Sequence, residues 1–474
     1  MTGIEAIHKA LHKAIHAQVP VAPLAVFRAL FGLIMLVSII RFAAMGWIEE
    51  LYLQPTFFFP YEGFEWVRPP GAAGMYALFV LMGVSALLLM LGWHYRLAAV
   101  SFFLSFTYVE LIDKSYYLNH YYFISLVALL LIFLPAHTAF SLDAWRRPAL
   151  RRQRVPAWCI NAIKLQLGMV YVFAGIAKLN PHWLVEAMPL KLWLPAHSHL
   201  PLIGAVLEWE ITAYAFSWAG ALYDLFVVFF LLHVRSRPWA YGAVLLFHFT
   251  TALLFQIGMF PYIMCLATLI FFSPVFHQRI IDATGRLLSL PASLLKKPQA
   301  GHATGLRLPA WAGRVQHYGL AAFFVLFFAL QLLLPFRYLL YEGPLFWTEQ
   351  GYRFSWRVML MEKAGFANFQ VYDSRTGRSE QVANYTYLTP VQEKMMSTQP
   401  DMMLQFAQYL KQVYEQKGFS QPQIRVESYV SLNGRRSRPY VRPNVNLLDI
   451  RPGQERMNWL MPYDDVTTKL TAHE

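Results

Sequence analysis

Nine apolar stretches, at about residues 22–43, 73–92, 97–113, 118–135, 160–178, 207–232, 239–256, 258–275 and 317–338, set the limits on how this chain can fold. A run of roughly 17 to 25 apolar residues spans the hydrocarbon of a bilayer, and backbone placed there must satisfy its own hydrogen bonds as helix. Only 14% of the 474 residues are charged and 57% are hydrophobic, where a soluble protein carries about 25% charge. The expected fold is therefore a polytopic α-helical membrane protein with about nine transmembrane helices. The net charge of +13 does not indicate nucleic acid, because the basic residues lie between apolar stretches and not in one aromatic-interleaved patch.

Those basic residues alternate along the chain. Lys9 and Lys13 precede the first stretch, and Arg96 follows the second. Arg146, Arg147, Arg151, Arg152 and Arg154 follow the fourth; Arg235 and Arg237 follow the sixth. Arg279, Arg286, Lys296, Lys297, Arg307 and Arg314 follow the eighth, while Glu49, Glu50, Glu62 and Glu65 lie after the first. The positive-inside rule places the N-terminus in the cytoplasm and the C-terminus outside. No short apolar core with a small-residue cleavage site opens the chain, so the first helix is expected to serve as an uncleaved insertion signal. Residues 1–21 read as an amphipathic cytoplasmic segment, with Ile4, Ile7, Leu11 and Ile15 opposite Lys9 and Lys13. His8, His12 and His16 recur every four residues there; without a fourth ligand they read as an interfacial face and not a metal site. Cys159 and Cys265 read as small buried hydrophobes, with no disulfide framework.

Residues 22–338 form the membrane region, and 339–474 turn polar, which predicts a small extracytoplasmic α+β domain. Phe369–Tyr372 and Glu380–Ala383 flank the turn-rich Asp373-Ser-Arg-Thr-Gly377 and predict a hairpin. Thr389-Pro-Val-Gln392 carries a capping box with proline at the first helical position. Pro400 opens a second helix that Gly418 ends, with Met403, Phe406, Leu410, Val413 and Tyr414 as its apolar stripe. Ile424, Val426, Val430 and Leu432 alternate toward the turn at Asn433-Gly434.

Chemistry is expected where polar groups meet the outer leaflet. Lys178 ends the fifth stretch, where a bare ammonium loses hydration and the neutral amine is favoured; the alternative is a lysine that snorkels to the headgroups. Asn119 and His120 open the fourth stretch from the same side, and His248 lies about 12 Å below the outer end of the seventh. Polar residues at membrane depth are functional candidates, although His248 could be a bonded core histidine and Asn119 a helix cap. Asp224 is expected to form a structural ion pair with Arg28 or Lys164, and Asp113 with Lys114 an interfacial pair. There is no zinc-type spacing, phosphate loop, nucleophile elbow or inverted repeat. A lysine, an amide and histidines in an aromatic outer pocket suit a lipophilic, weakly acidic ligand such as a quinol.

These residues resemble the vitamin K-dependent γ-glutamyl carboxylase family and its bacterial relatives, whose membrane region is called the HTTM domain. The match runs through Leu24-Ala-Val-Phe-Arg-Ala-Leu-Phe-Gly32, Asp113-Lys114, Asn119-His120 and Phe173-Ala-Gly-Ile-Ala-Lys-Leu179. It continues through His248, Phe255-Gln-Ile-Gly-Met-Phe260, Gly351-Tyr-Arg-Phe-Ser-Trp356, Asp373-Ser-Arg-Thr-Gly377 and Pro422-Gln-Ile424, covering about residues 20 to 463. The resemblance implies that Lys178 deprotonates reduced vitamin K (or menaquinol). Oxygen addition then yields a base strong enough to remove a glutamate γ-proton, and carbon dioxide is taken up as vitamin K epoxide is left. It assigns hydroquinone binding to Asn119 and His248, carboxylation to His120, and glutamyl binding to Trp347, Tyr352, Ser355 and Trp356. It also implies a bacterial inner-membrane protein with a periplasmic C-terminal domain, an exported glutamate-containing substrate and a quinone-reducing partner enzyme. Met361 departs from an expected histidine and Arg357 from an acidic residue, so the quinol half is the better supported. A quinol epoxidase without carboxylation and a non-catalytic receptor or maturation factor for exported proteins are the alternatives.

Overall fold

The computed structural model describes residues 17–255, 257–291, 310–451 and 457–463. The amphipathic N-terminal segment, with Lys9, Lys13, His8, His12 and His16, lies outside them, as do Gln256, Lys296, Lys297 and Arg307. Helices stand where the apolar stretches predict them: α1 (Ala22–Ala44), α2 (Gly71–Leu91), α3 (Tyr95–Ile112), α4 (Asn119–Phe133) and α5 (Ala157–Lys178). There follow α6 (Glu210–Leu232), α7 (Arg237–Leu254), α8 (Phe260–Thr268), α9 (Pro274–Leu287) and α10 (Ala310–Leu333).

The count of nine spans is not reached. Among the described residues six helices are long and apolar enough to cross a bilayer: α1, α2, α3, α5, α6 and Tyr318–Leu340. At 15 residues α4 is short for a span. α7 carries Arg237, His248, Thr250 and Thr251, which dilute its apolar character. The stretch at 258–275 is not a straight helix: it breaks before Pro274 and turns by 119° into α9, giving seven spans at most by length and composition.

Small residues set the helix packing. A methyl group on Gly32 would sit 2.4 Å from the Met90 backbone nitrogen, so α1 and α2 touch backbone to backbone there. Gly175 does the same for α5 and α6, where a Cβ would lie 2.6 Å from the Leu225 nitrogen. Arg28 is fully buried and donates to carbonyls at the end of α2 and beyond: Met90 at 2.8 Å, Ala136 at 3.2 Å, and those of Leu89 and Phe140. These carbonyls supply acceptors for a guanidinium that protein encloses completely. Two short strands, β1 (Gln18–Pro20) and β2 (Arg154–Pro156), pair antiparallel and tie the starts of α1 and α5 together.

After α10 the helices give way to an antiparallel sheet of β3 (Lys363–Asp373), β4 (Ser379–Gln381), β5 (Pro422–Leu432) and β6 (Arg438–Pro439), in the order β4-β3-β5-β6. The expected hairpin forms between β3 and β4, with Gln370 opposite Gln381. Asn433 and Gly434 both have positive φ, 52° and 70°, and the Arg435 nitrogen donates to Leu432 O at 3.1 Å. That closes the tight turn the Asn-Gly pair predicts. Both bonds of the capping box are present at the start of α11 (Pro390–Met396). The stripe of α12 (Pro400–Gln416), including Met403, Phe406 and Leu410, packs in one core with Phe369, Val371 and Ile424 of the sheet.

Asp113 and Lys114 do not form an interfacial pair with one another. Both are buried, and both reach across to the sheet-containing region. Asp113 Oδ2 accepts from Gln392 Nε2 at 2.7 Å, and Lys114 Nζ lies 2.6 Å from Asp401 Oδ2. Burial pushes the Asp113 carboxyl up to about 6, although bonds from Ser115 and Gln392 oppose it. Asp401 also meets Arg353 at 2.8 Å. Burial alone raises this carboxyl; the two cations outweigh it and hold Asp401 well below the usual carboxylate range.

Candidate functional site

Lys178 is the last residue of α5 and is 5% exposed. Asn180 caps the short helix that follows, its side chain accepting from the Trp183 nitrogen. The chain therefore turns at once and brings the Trp183 ring to 5.4 Å from Nζ. Gly175, one turn earlier on the same face, lets α6 approach, and Lys178 Nζ comes to 2.5 Å from Asp224 Oδ2. Asp224 sits fourteen residues into α6, about 21 Å along the helix from Glu210. A lysine meeting a carboxylate there, in this burial, is not snorkelling to the headgroups.

This corrects the expected partner of Asp224. It pairs neither with Arg28, which is committed to carbonyls, nor with Lys164, whose Nζ lies 5.7 Å from the Phe271 ring. Lys178 is accordingly not a bare ammonium but half of a neutral pair.

Two turns below Lys178, Tyr171 adds a second polar group on the same face of α5. Its hydroxyl is 3.2 Å from His248 Nε2 and 3.4 Å from Thr268 Oγ1. His248 is 1% exposed, and its Nδ1 has no hydrogen-bond partner. The rings of His248 and His120 stand on Phe260, with centroids 5.5 and 5.9 Å away. Tyr223, beside Asp224, stacks on Phe247 at 4.2 Å. The helices thus gather Lys178, Asp224, Tyr171, His248 and His120 among aromatic rings.

Asn119 works in the other direction. Its Oδ1 accepts from Tyr117 Oη at 3.1 Å and its Nδ2 donates to Arg357 O at 3.0 Å. Tyr117 Oη in turn accepts from the Phe354 nitrogen at 2.8 Å. The start of α4 therefore pins the 354–357 loop, in which Phe354 and Trp356 have positive φ. Trp356 is 1% exposed and stacks on Tyr122 at 4.9 Å. The Ser355 hydroxyl donates to Tyr352 O. Trp347 donates to Met461 O at 2.8 Å and packs edge-on against Tyr440.

A cavity of about 300 Å³ opens between the C-terminal end of α5, the Pro335–Tyr338 turn, Pro344–Phe346 and the Ser355–Arg357 loop. Of the four residues assigned to glutamyl binding, Ser355 lines it; Trp347, Tyr352 and Trp356 do not, being engaged in the packing around it. Ala177 and Leu179 also line it, while Lys178 between them faces Asp224. Cavity and ion pair thus lie on two sides of one helical turn, and Asn119 links the loop of one to the helices of the other.

Sequence reasoning missed Asp224 as the partner of Lys178, and it missed Tyr171. Counting residues inward from helix ends sets Asp224 far from a lysine at the end of α5. Gly175 is a signal only once the α5–α6 contact is known.

Residues 16–276, more than half of the chain, match the HTTM domain, and residues 316–466 match the vitamin K-dependent gamma-carboxylase, lumenal domain. No solved structure gives a match to the chain. With both regions matched in order on one polypeptide, the chain belongs to the vitamin K-dependent gamma-glutamyl carboxylase family.

Proposed function

We propose that this protein couples oxygenation of a reduced naphthoquinone to γ-carboxylation of glutamate in an exported protein. In this reading the N-terminus is cytoplasmic and the part from residue 339 onward is external. α4, α7 and α8 complete nine membrane-embedded helices. The observation that carries the reading is the buried Lys178–Asp224 pair, 2.5 Å apart and set among aromatic rings.

The chemistry of the residues fits a hydroquinone: aromatic rings surround the polar groups, and His248 Nδ1 is a buried polar atom free to bond a hydroxyl. When bound, reduced vitamin K with oxygen and carbon dioxide supplies oxidising and strongly basic chemistry that no side chain has. The Lys178–Asp224 pair accepts a single phenolic proton, which resides on the carboxylate, and the Lys178 ammonium remains opposite the resulting anion. Tyr171 fixes the ring of His248 through Nε2. His120 presents an imidazole in apolar surroundings that exclude water. Asn119 holds the Arg357 backbone and so sets the 354–357 loop against the cavity. Ser355 lines the cavity where a glutamyl side chain would enter.

The test uses purified wild type and Lys178→Ala with reduced vitamin K, oxygen, labelled bicarbonate and a glutamate peptide. Epoxide and fixed label, both lost in the variant, are expected. Epoxide without label supports the second reading, a quinol epoxidase, which the engagement of Trp347, Tyr352 and Trp356 in packing favours. Absence of both products from folded protein overturns both readings in favour of a receptor.

A further inference from the structure

Arg357 is a cation without a counter-ion. Its side chain lines the 300 Å³ cavity and is 9% exposed, yet its Nε has no hydrogen-bond partner. Among the described residues no aspartate or glutamate forms an ion pair with it. The acids around the cavity are already engaged. Glu186 is shared between His182, itself a lining residue, and Arg435, at 3.0 and 2.8 Å. Glu349 holds Lys363 at 2.8 Å, and Glu362 accepts from Trp193 Nε1 at 2.8 Å.

The guanidinium is nevertheless held in place. It lies 4.3 Å from the centroid of the Tyr338 ring, which fixes its plane, and Asn119 fixes its backbone. The Tyr338 side chain also hydrogen-bonds it, but a neutral phenol does not balance its charge, and a buried guanidinium is unfavourable unless something of opposite charge completes it. A guanidinium on a cavity wall offers planar, paired N–H donors that match a carboxylate. Apolar walls from Phe173, Ile176 and Phe346 strengthen that attraction by excluding water.

We propose that Arg357 is the anion-recognition residue of this cavity and that the anion is the side-chain carboxylate of a substrate glutamate. This assignment rests on the carboxylase reading for the identity of the anion. Arg357 is a specificity residue here: it selects glutamyl over glutaminyl substrate by charge, with Ser355 as its polar neighbour on the cavity wall.

The experiment measures binding, not turnover. Full-length protein in detergent is titrated with an end-blocked peptide containing one glutamate, and with the same peptide carrying glutamine, by calorimetry. Wild type is expected to prefer glutamate at least tenfold. Arg357→Gln, with an unchanged melting temperature, is expected to abolish the preference, and Arg357→Lys to keep part of it. A preference retained in Arg357→Gln, or absent from wild type, overturns the proposal. Epoxide formation by wild type without peptide decides the proposed function separately. Its absence beside a retained glutamate preference sinks that function and leaves the assignment of Arg357 standing.

Discussion

Two lysine–aspartate pairs, one in the membrane helices and one at the joint with the sheet-containing region, look alike by distance and differ in their surroundings. Lys178 and Asp224 lie 2.5 Å apart with both side chains 7% exposed, and they have no second cation. Lys114 and Asp401 lie 2.6 Å apart, but the Asp401 side chain is 40% exposed and Arg353 shares it. At the joint, two cations on one carboxylate keep it ionised, and the arrangement anchors Arg353 beside the 354–357 loop. In the membrane helices, one cation faces one anion and protein encloses both side chains. The first arrangement suits a fixed joint, the second a proton acceptor.

The largest expected effect that sharpens this contrast comes from Lys178→Ala. Epoxide and fixed label should fall by about 10³-fold, the scale of disabling acid–base catalysis, because the variant removes the cation of the pair. The same change strands Asp224, so the variant should also melt early; adding Asp224→Leu should restore the melting temperature without restoring activity. Recovery of activity in the double variant would break the contrast.

Gly175→Ala attacks the same pair through packing. A methyl group 2.6 Å from the Leu225 nitrogen forces α5 from α6, and a loss of about 2 kcal/mol is expected, followed by chemical denaturation. Epoxide formation should fall with it, although no polar group has been touched.

Asp401→Asn tests the joint. With its carboxylate partly exposed and screened, about 1 kcal/mol at pH 7 is expected. Because Asp401 is held below its ordinary value, its stabilisation is complete above about pH 4 and drains away as pH falls further. Melting temperatures of wild type and variant should therefore draw together as pH falls below about 4. Parallel curves would mean that the pair contributes nothing.

Thr389→Ala gives the smallest effect. Removing the side-chain cap of α11 should cost about 0.5 kcal/mol, the low end for a cap, because Gln392 keeps its own bond to the Thr389 nitrogen. Activity should be unchanged.

Much of the sheet-containing region was legible because its signals are local. The Asn433-Gly434 turn, the Thr389–Gln392 capping box and the α12 stripe each depend on residues within one or two turns of chain. The helices were legible by apolar length, but the number that cross was not. The break at Pro274 and the shortness of α4 divide apolar stretches in ways that composition does not report. Lys178, Asn119, His120 and His248 could be singled out as polar residues at membrane depth. Their partners could not, since Asp224 meets Lys178 only through the contact that Gly175 permits.

Composition and periodicity by themselves were enough to determine a helical membrane protein with a polar α+β addition, because burial and backbone satisfaction leave few other solutions. Only the tertiary structure decided that Lys178 is one half of a neutral pair, that Asp113 and Lys114 hold the joint, and that Arg357 stands unpaired in a cavity. Electrostatic partnership depends on which helices touch and at what depth, and those are properties of packing that no single segment encodes.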